Sequence, residues 1–185
     1  MNLPDMKTGE IYPSESVPVL VVRDGEVVPE IITWGAPGFS KGSRIINARS
    51  ETACEKKMFC DSILHRRCII PANGFFEWNR LGDKKKYYFK DDSEDTIYMA
   101  GIYDRYEDTD CFIILTTNAN DSMKDIHDRM PLILEREQIM DWLLDDRSTK
   151  AFLRRIPREL KREEIKEEKK NEYQQLTFDW TDRTS

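Results

Sequence analysis

The sequence predicts an α+β domain built around a mostly antiparallel, partly closed β-sheet with peripheral helices. Short runs of β-branched and aromatic residues dominate the middle of the chain, which is typical of strands. Helical patterns punctuate these runs without alternating regularly with them, and this order argues against a doubly wound parallel sheet. A chain of 185 residues with 39% hydrophobic residues has the size and composition of one domain with a core.

An N-terminal hairpin is the first element that the sequence predicts. The apolar runs Val17 to Val22 and Val27 to Trp34 are separated by a short segment that contains Asp24-Gly25. Asp-Gly favours the tight two-residue turns that join antiparallel strands. We therefore expect the two runs to pair as a β-hairpin.

A helix is predicted next, ending at about Leu64. Thr52 and Glu55 have the spacing of a capping box, in which the two side chains satisfy backbone N–H groups at a helix start. Met58 and Ile63 then belong to an apolar stripe at helical spacing.

Five further strands are predicted from apolar and aromatic runs bounded by turn residues. They are Cys68 to Pro71, Gly74 to Trp78, Lys86 to Lys90, Ile97 to Tyr103 and Cys111 to Thr117.

The last part of the domain is predicted to be helical. Asp121 is a suitable N-cap for a short helix that ends near His127. Arg136 to Leu144 carries apolar residues at helical spacing. We expect the domain to cover residues 1–157 and a charged tail to cover residues 158–185.

The predicted tail has two parts. Arg158 to Glu172 contains six basic and six acidic residues, which favours an exposed helix or a frayed end. Tyr173 to Trp180 carries Leu176, Phe178 and Trp180 in alternation, and this segment is either an edge strand or disordered.

Composition excludes several classes of protein. No apolar run approaches the length of a membrane-spanning helix, and no signal-peptide pattern begins the chain, so we expect a cytoplasmic protein with no membrane partner. The four cysteines show no paired short spacing and there are only two histidines. We therefore expect free thiols, no metal site and no cofactor.

Charge is unevenly distributed along the chain. The net charge is -6, which argues against broad attraction to nucleic acid. Lys41 to Arg67 nevertheless contains seven basic and three acidic residues, a local balance of +4 that leaves -10 for the remainder. This stretch fits either a DNA groove of limited extent or an ordinary solvated helix face.

Three polar residues stand in apolar or tightly turned contexts. Asn47 follows two isoleucines, Glu77 lies between Phe76 and Trp78, and His127 follows an isoleucine. A carboxyl among aromatic rings loses hydration and suits proton transfer, and an imidazole can donate and accept protons near neutrality. The alternatives are a solvent-facing strand glutamate, a turn asparagine and a helix-end histidine paired with backbone or an adjacent aspartate.

Taken together, these motifs resemble the SRAP family, the SOS-response-associated peptidases, also described as abasic site processing proteins. The resemblance covers roughly Ile11 to Leu144. It rests on five ordered segments: Trp34 to Phe39, Ile46 to Thr52, Pro71 to Trp78, Leu115 to Asp121 and Ile126 to Pro131. It implies an SRAP-like fold and a monomer that binds abasic sites in single-stranded DNA. In the family an N-terminal cysteine forms a covalent thiazolidine crosslink with the DNA and supports an autopeptidase activity.

The resemblance also implies catalytic roles for three residues. Glu77 would assist opening of the deoxyribose ring and proton movements at the amine. His127 would promote formation of the Schiff base and its reversal. The amide of Asn47 would hold the reacting end of the chain by hydrogen bonds.

Five residues are expected to bind DNA on the same basis. Arg49 and Arg129 would grip phosphates beside the lesion, or else form internal salt bridges, for instance Arg129 with Asp128 or Arg49 with Glu51. Phe39 would stack on or wedge beside a base. Lys41 and Lys57 would add further phosphate contacts.

The N-terminal sequence departs from the family pattern. Family members begin Met-Cys-Gly-Arg, whereas this sequence begins Met1-Asn2-Leu3-Pro4 and its first cysteine is Cys54. We expect that the chain starts inside the family pattern. Three readings stay open: a crosslinking enzyme whose cysteine lies upstream, a non-catalytic module that binds single-stranded DNA, and a remnant that folds poorly. A side-chain thiol without an adjacent free amine cannot close the same ring.

Overall fold

The computed structural model describes residues 9–79 and 84–166. Strands make up most of this part of the chain, in the order β1 (Ser16–Arg23), β2 (Glu26–Trp34), β3 (Ala36–Pro37), β4 (Arg44–Ile45), β5 (Asn47–Arg49), β6 (Arg67–Ala72), β7 (Phe75–Trp78), β8 (Lys86–Lys90), β9 (Ile97–Tyr106), β10 (Thr109–Asn118), β11 (Arg129–Pro131), β12 (Ile133–Leu134) and β13 (Lys161–Ile165). The helices are α1 (Ser50–Ala53), α2 (Lys57–His65), α3 (Ile139–Leu144) and α4 (Thr149–Phe152), and a 3₁₀ turn at Arg136–Gln138 leads into α3.

The predicted N-terminal hairpin is confirmed. Strands β1 and β2 pair antiparallel along their whole length, and Arg23 lies opposite Glu26 at the turn. Asp24 and Gly25 between them have φ angles of 52° and 82°. Two consecutive positive φ values define the turn type whose twist matches that of a hairpin.

The main sheet closes into a ring of five strands. Its order is β10-β2-β1-β6-β9, and β9 pairs back with β10. Strand β10 runs parallel to β2 and to β5, while the other pairs among the described strands are antiparallel. The predicted α+β fold with a mostly antiparallel, partly closed sheet is therefore confirmed.

Side chains on alternate positions of the ring strands belong to two separate hydrophobic cores. In β10, Cys111, Ile113 and Leu115 join the helix-side cluster, which includes residues of all four helices. Phe112 and Ile114 join a second cluster, here called the sheet-side cluster, which also contains apolar residues of β8 and of the segment before β11 and against which Phe75 of β7 packs. Buried residues on both faces explain why these strands read as continuous apolar runs.

A second, three-stranded sheet has the order β13-β8-β7 and is antiparallel throughout. Residues Lys161–Ile165 form its outer strand, so the exposed helix or frayed end expected over Arg158 to Glu172 is wrong for the described residues up to Lys166. Opposite charges across the strands favour this pairing, for instance Lys85 with Glu164 at 3.2 Å. The alternating segment Tyr173 to Trp180 lies outside the described residues.

Two predicted helix starts are also wrong. Helix α1 ends at Ala53 and α2 begins at Lys57. Neither helix has a side-chain cap from Thr52. The segment from Asp121 to Ile126 consists of successive turns rather than a helix. The predicted helix from Arg136 to Leu144 is present, as the 3₁₀ turn followed by α3. No helix in the described part of the chain is long and apolar enough to span a membrane.

Candidate active site

Asn47 and Arg49 lie on a short strand that β10 positions. Asn47 is opposite Ile114 and Arg49 is opposite Thr116 in parallel register. Ala48 between them is buried, while Asn47 and Arg49 are both exposed. Alternation along the strand therefore turns the amide of Asn47 and the guanidinium of Arg49 to the same, accessible side.

His127 ends the run of turns before β11. Asn120 starts this run, because its Oδ1 accepts hydrogen bonds from the backbone N–H and the hydroxyl of Ser122 at 3.0 and 2.6 Å. An asparagine side chain that bonds to the backbone two residues further on stabilises a turn at the expense of a helix. The segment therefore reaches His127 through turns.

The His127 ring is held in one orientation. Its side chain is only 10% exposed. Its Nδ1 lies 2.8 Å from the backbone nitrogen and 3.1 Å from the backbone carbonyl oxygen of Arg129, so the backbone of Arg129 holds the ring whichever ring nitrogen carries the proton. Nδ1 also lies 3.2 Å from Oδ1 of Asp128.

Arg129 forms an internal ion pair. Its two terminal nitrogens donate to the carboxylate of Glu51 at 2.6 and 2.7 Å. They also donate to Oδ1 of Asn118 at 2.7 Å and to the carbonyl of Thr116 at 2.6 Å. The hydrogen bonds from Arg129 hold the pKa of Glu51 below its ordinary value of 4.5.

This pairing occupies the donors that Arg129 was expected to offer to a phosphate. Arg129 forms an internal salt bridge, but its partner is Glu51 and not the adjacent Asp128 that the sequence suggested. The remaining donor, Nε, is buried without a partner in the described part of the chain. A direct phosphate contact by Arg129 stays a prediction, and it requires one of these hydrogen bonds to open.

Glu77 lies on the small sheet, on the face that packs toward the sheet-side cluster. Phe75, on the same face, stacks against Phe89 with ring centroids 5.2 Å apart. Phe76 and Trp78 point to the opposite face, where Lys86 lies 4.0 and 5.2 Å from their ring centroids. Glu77 is half-buried, and its Oε1 accepts a hydrogen bond from the backbone N–H of Trp78 at 3.2 Å.

Gly74 brings this strand close to its neighbour. A Cβ at this position would lie 2.3 Å from the carbonyl oxygen of Phe89 and 2.6 Å from the ring of Tyr88. Only glycine fits such an approach without displacing backbone. The glycine of the motif thus sets the distance between β7 and β8, three residues before Glu77.

The three expected catalytic residues border the same core cluster. Ile114, which is opposite Asn47, belongs to the sheet-side cluster. Tyr87, which is opposite Glu77, packs against this cluster. Ile126, which precedes His127, also belongs to it. Segments that are 30 to 80 positions apart in the sequence thus carry an amide, a carboxyl and an imidazole next to residues of one apolar cluster.

The residues expected to contact DNA have different surroundings. Phe39 is 92% exposed on the loop between β3 and β4, and Lys41 on the same loop is also exposed. Lys57 is exposed at the start of α2. Lys41, Lys57 and Arg49 form no ion pair with any of the described residues. Their charges therefore face solvent.

Other members of the basic stretch have structural roles. Arg67 is buried and donates to the backbone carbonyls of Trp142 and Ile63, at 2.5 and 2.9 Å. Arg66 forms an ion pair with Asp104 at 3.0 Å. The positive surface is therefore smaller than the count of basic residues in the sequence indicates.

The four thiols are free, and three of them are poorly suited to act as nucleophiles. Burial raises the pKa of Cys54, Cys68 and Cys111, most strongly for Cys68. The described residues contain no cluster of His, Cys, Asp and Glu that could hold a metal ion.

Sequence reasoning missed the role of Glu51 as the partner of Arg129. Glu51 lies two residues after Arg49, so the sequence suggests Arg49 as its partner. The actual partner is 78 positions away and becomes adjacent only because β5 and β11 both pair with β10.

These features define a closed-sheet α+β protein with a candidate proton-transfer site around one core cluster. The family model described as SOS response associated peptidase (SRAP) matches residues 5–171, and the chain belongs to this family. The family that the sequence motifs indicated is thereby confirmed.

Individual relatives agree with this assignment. The chain is similar to abasic site processing protein YedK of Escherichia coli (strain K12), at 37% identity over 147 residues, which cover 76% of this chain and 66% of that protein. It is also similar to abasic site processing protein YoqW of Bacillus subtilis (strain 168), at 38% identity over 154 residues, which cover 73% and 68% of the two chains. The match thus spans about two thirds of the length of these relatives.

A solved structure shares the fold. A crystal structure of a protein from Bacteroides thetaiotaomicron superimposes with a TM-score of 0.71 and 30% identity, covering 83% of this chain and 75% of that one.

Proposed function

We propose that this domain processes abasic sites in single-stranded DNA, and that Asn47, Glu77 and His127 carry the chemistry. The observation that supports this most directly is that these three residues border one core cluster although they are far apart in sequence. The names of the relatives, which describe processing of abasic sites, point to the same lesion.

The proposed reaction forms a covalent crosslink with the open-chain aldehyde of the abasic site. The α-amine of an N-terminal cysteine adds to the aldehyde carbon, and loss of water gives a Schiff base. The thiol sulfur then adds to the same carbon while a proton moves to the nitrogen, which closes a thiazolidine ring. An α-amine with a pKa of about 8 is largely neutral under mildly alkaline conditions and can act as the nucleophile.

The protein supplies proton transfer and orientation. The carboxyl of Glu77 exchanges protons as the sugar ring opens and as the amine adds. His127 donates and accepts protons at the aldehyde and the amine, and its contacts with the backbone of Arg129 hold the ring in place. The amide of Asn47 faces solvent on β5 and can both donate to and accept from the reacting terminus.

The N-terminal end of the described chain lies next to the small sheet, on the face opposite to Glu77. Glu10 forms an ion pair with Lys86 at 2.6 Å, and Lys86 is opposite Trp78, the residue after Glu77. The described chain therefore starts beside the strand that carries Glu77.

The first test is a denaturing gel of the protein incubated with single-stranded DNA that carries one abasic site. The chain is compared with the same chain preceded by Met-Cys-Gly-Arg. We expect a heat-stable shifted band with the extended chain and none with the chain as printed. A band from the printed chain would assign the reaction to another nucleophile. No band from either protein, if both are folded, would refute the crosslinking proposal.

Matched variants of the extended chain test the assigned residues. Glu77→Gln and His127→Asn should each lower the crosslinking rate by about 100-fold, the typical contribution of a general acid or base. The controls are Glu26→Gln and His65→Asn, because Glu26 is exposed on β2 and the His65 side chain is 64% exposed. Equal losses in the control and site variants would remove Glu77 and His127 from the mechanism.

A second function, non-covalent binding of single-stranded DNA, is favoured by a different observation. Phe39 and Arg49 are exposed, and neither side chain is used to hold the fold within the described residues. An exposed aromatic ring with nearby cationic groups suits stacking on bases and contact with phosphates. Binding by the printed chain without any crosslink from the extended chain would favour this function.

A further inference from the structure

The segment that follows α4 is attached to the turns before His127. Backbone carbonyls of Pro157 and Arg158 both accept hydrogen bonds from Nδ2 of Asn120, at 3.0 and 2.8 Å. The backbone N–H of Leu160 donates to the hydroxyl of Ser122 at 3.1 Å. Because the turns have no helical framework of their own, these contacts fix where the segment lies.

The same segment continues directly into the small sheet. After Leu160 the chain forms β13, which pairs with β8, and β8 pairs with the strand that carries Glu77. In this register Glu164, Tyr87 and Glu77 lie in one row across the three strands. Residues 157–165, here called the strap, therefore contact both parts of the proposed site.

One side chain of the strap contacts both parts at once. Nη1 of Arg162 donates to both carboxylate oxygens of Asp125, at 2.6 and 2.7 Å, two residues before His127. Its guanidinium carbon also lies 5.7 Å from the ring centroid of Tyr87, the cross-strand neighbour of Glu77.

We propose that Arg162 is a positioning residue that holds the turn bearing His127 against the sheet bearing Glu77. This proposal rests on the proposed function, in which both groups act on one sugar. The side chains are 39% exposed for Arg162 and 55% for Asp125, so the pair contributes little to global stability. Its effect falls on the local geometry of the turn, where a displacement of about 1 Å can slow catalysis by about 100-fold.

The test compares Arg162→Gln with Lys161→Gln in the chain preceded by Met-Cys-Gly-Arg. Lys161 is the adjacent residue of the same strand and forms an exposed ion pair with Asp92 at 2.9 Å, away from the turn. We expect Arg162→Gln to lower the crosslinking rate at saturating DNA by about tenfold, with the half-saturating DNA concentration and the thermal midpoint nearly unchanged. Lys161→Gln should leave all three quantities unchanged.

Hydrogen exchange supplies a readout that does not depend on the reaction. The amides of Lys124, Ile126 and His127 donate to backbone carbonyls within the turns. Arg162→Gln should accelerate their exchange about three- to fivefold, while amides of the main sheet keep wild-type rates. If the extended wild-type chain forms no crosslink but this local acceleration is present, the proposed function fails and the positioning of the turn by Arg162 stands.

A double-mutant cycle tests whether Arg162 and Asp125 act through the same contact. Asp125→Asn should have the same effects as Arg162→Gln, and the double variant should be no worse than either single variant, because all three lack the same contact. Additive losses, unchanged exchange in the turn, or an equal loss with Lys161→Gln would overturn the proposal.

Discussion

Replacing Glu51 by glutamine should destabilise the fold by about 2 kcal/mol. Removing one partner of a fully buried ion pair costs about 3–5 kcal/mol, whereas an exposed pair contributes about 0–1 kcal/mol. Here the side chains are 13% exposed for Arg129 and 40% exposed for Glu51, so the estimate lies between these limits after allowing for solvent at the carboxylate. Arg129 retains Asn118 and the Thr116 carbonyl as acceptors in the variant.

The effect should depend on pH in a defined direction. The folded protein holds the pKa of Glu51 below 4.5, so the unfolded chain binds a proton more readily over the interval between the two values. The stability contributed by the ionised carboxylate is therefore complete above pH 4.5 and is lost as the pH falls through the folded-state pKa. The difference between wild type and Glu51→Gln should be constant near neutrality and should shrink in acid.

Thermal and urea unfolding at neutral and acidic pH measure this difference. For a chain of 185 residues, about 2 kcal/mol corresponds to a fall of about 4–8 °C in the midpoint. Glu55→Gln is the control, because Glu55 is exposed four residues further along. A midpoint for Glu51→Gln that matches the control, or a difference that persists unchanged in acid, would refute the reasoning.

Three further predictions concern exposure and packing. Phe39→Ala should weaken binding of single-stranded DNA by about tenfold in fluorescence anisotropy while leaving the thermal midpoint unchanged, because the ring is 92% exposed; a lowered midpoint would contradict this. Gly74→Ala should lower stability by about 2–3 kcal/mol in urea unfolding, because the added Cβ meets the Phe89 carbonyl at 2.3 Å; wild-type stability would show that the strands separate easily. Cys68 should resist a thiol reagent in the native protein and react after unfolding, because it is fully buried and burial raises its pKa, whereas the partly exposed Cys60 should react first.

Local signals in the sequence predicted the elements that depend on local chemistry. Asp24-Gly25 predicted the hairpin because its positive φ angles depend only on the turn residues. The predicted helix after Asp121 is absent because the Asn120 side chain competes for the backbone of the next residues. The outer strand of the small sheet was missed because its residues Lys161–Ile165 are all exposed, and a charged strand has no apolar alternation to reveal it.

The sequence by itself determined the family and the chemical types at the candidate site, because Asn47, Glu77 and His127 occur in short ordered motifs whose residue identities are sufficient to detect them. Only the tertiary structure decided how these groups are held. Arg129 pairs with Glu51, and Arg162 reaches Asp125, because the sheet pairings bring together residues that are 78 and 37 positions apart. Electrostatic partners are chosen by distance in space, and distance along the chain does not indicate which charges meet.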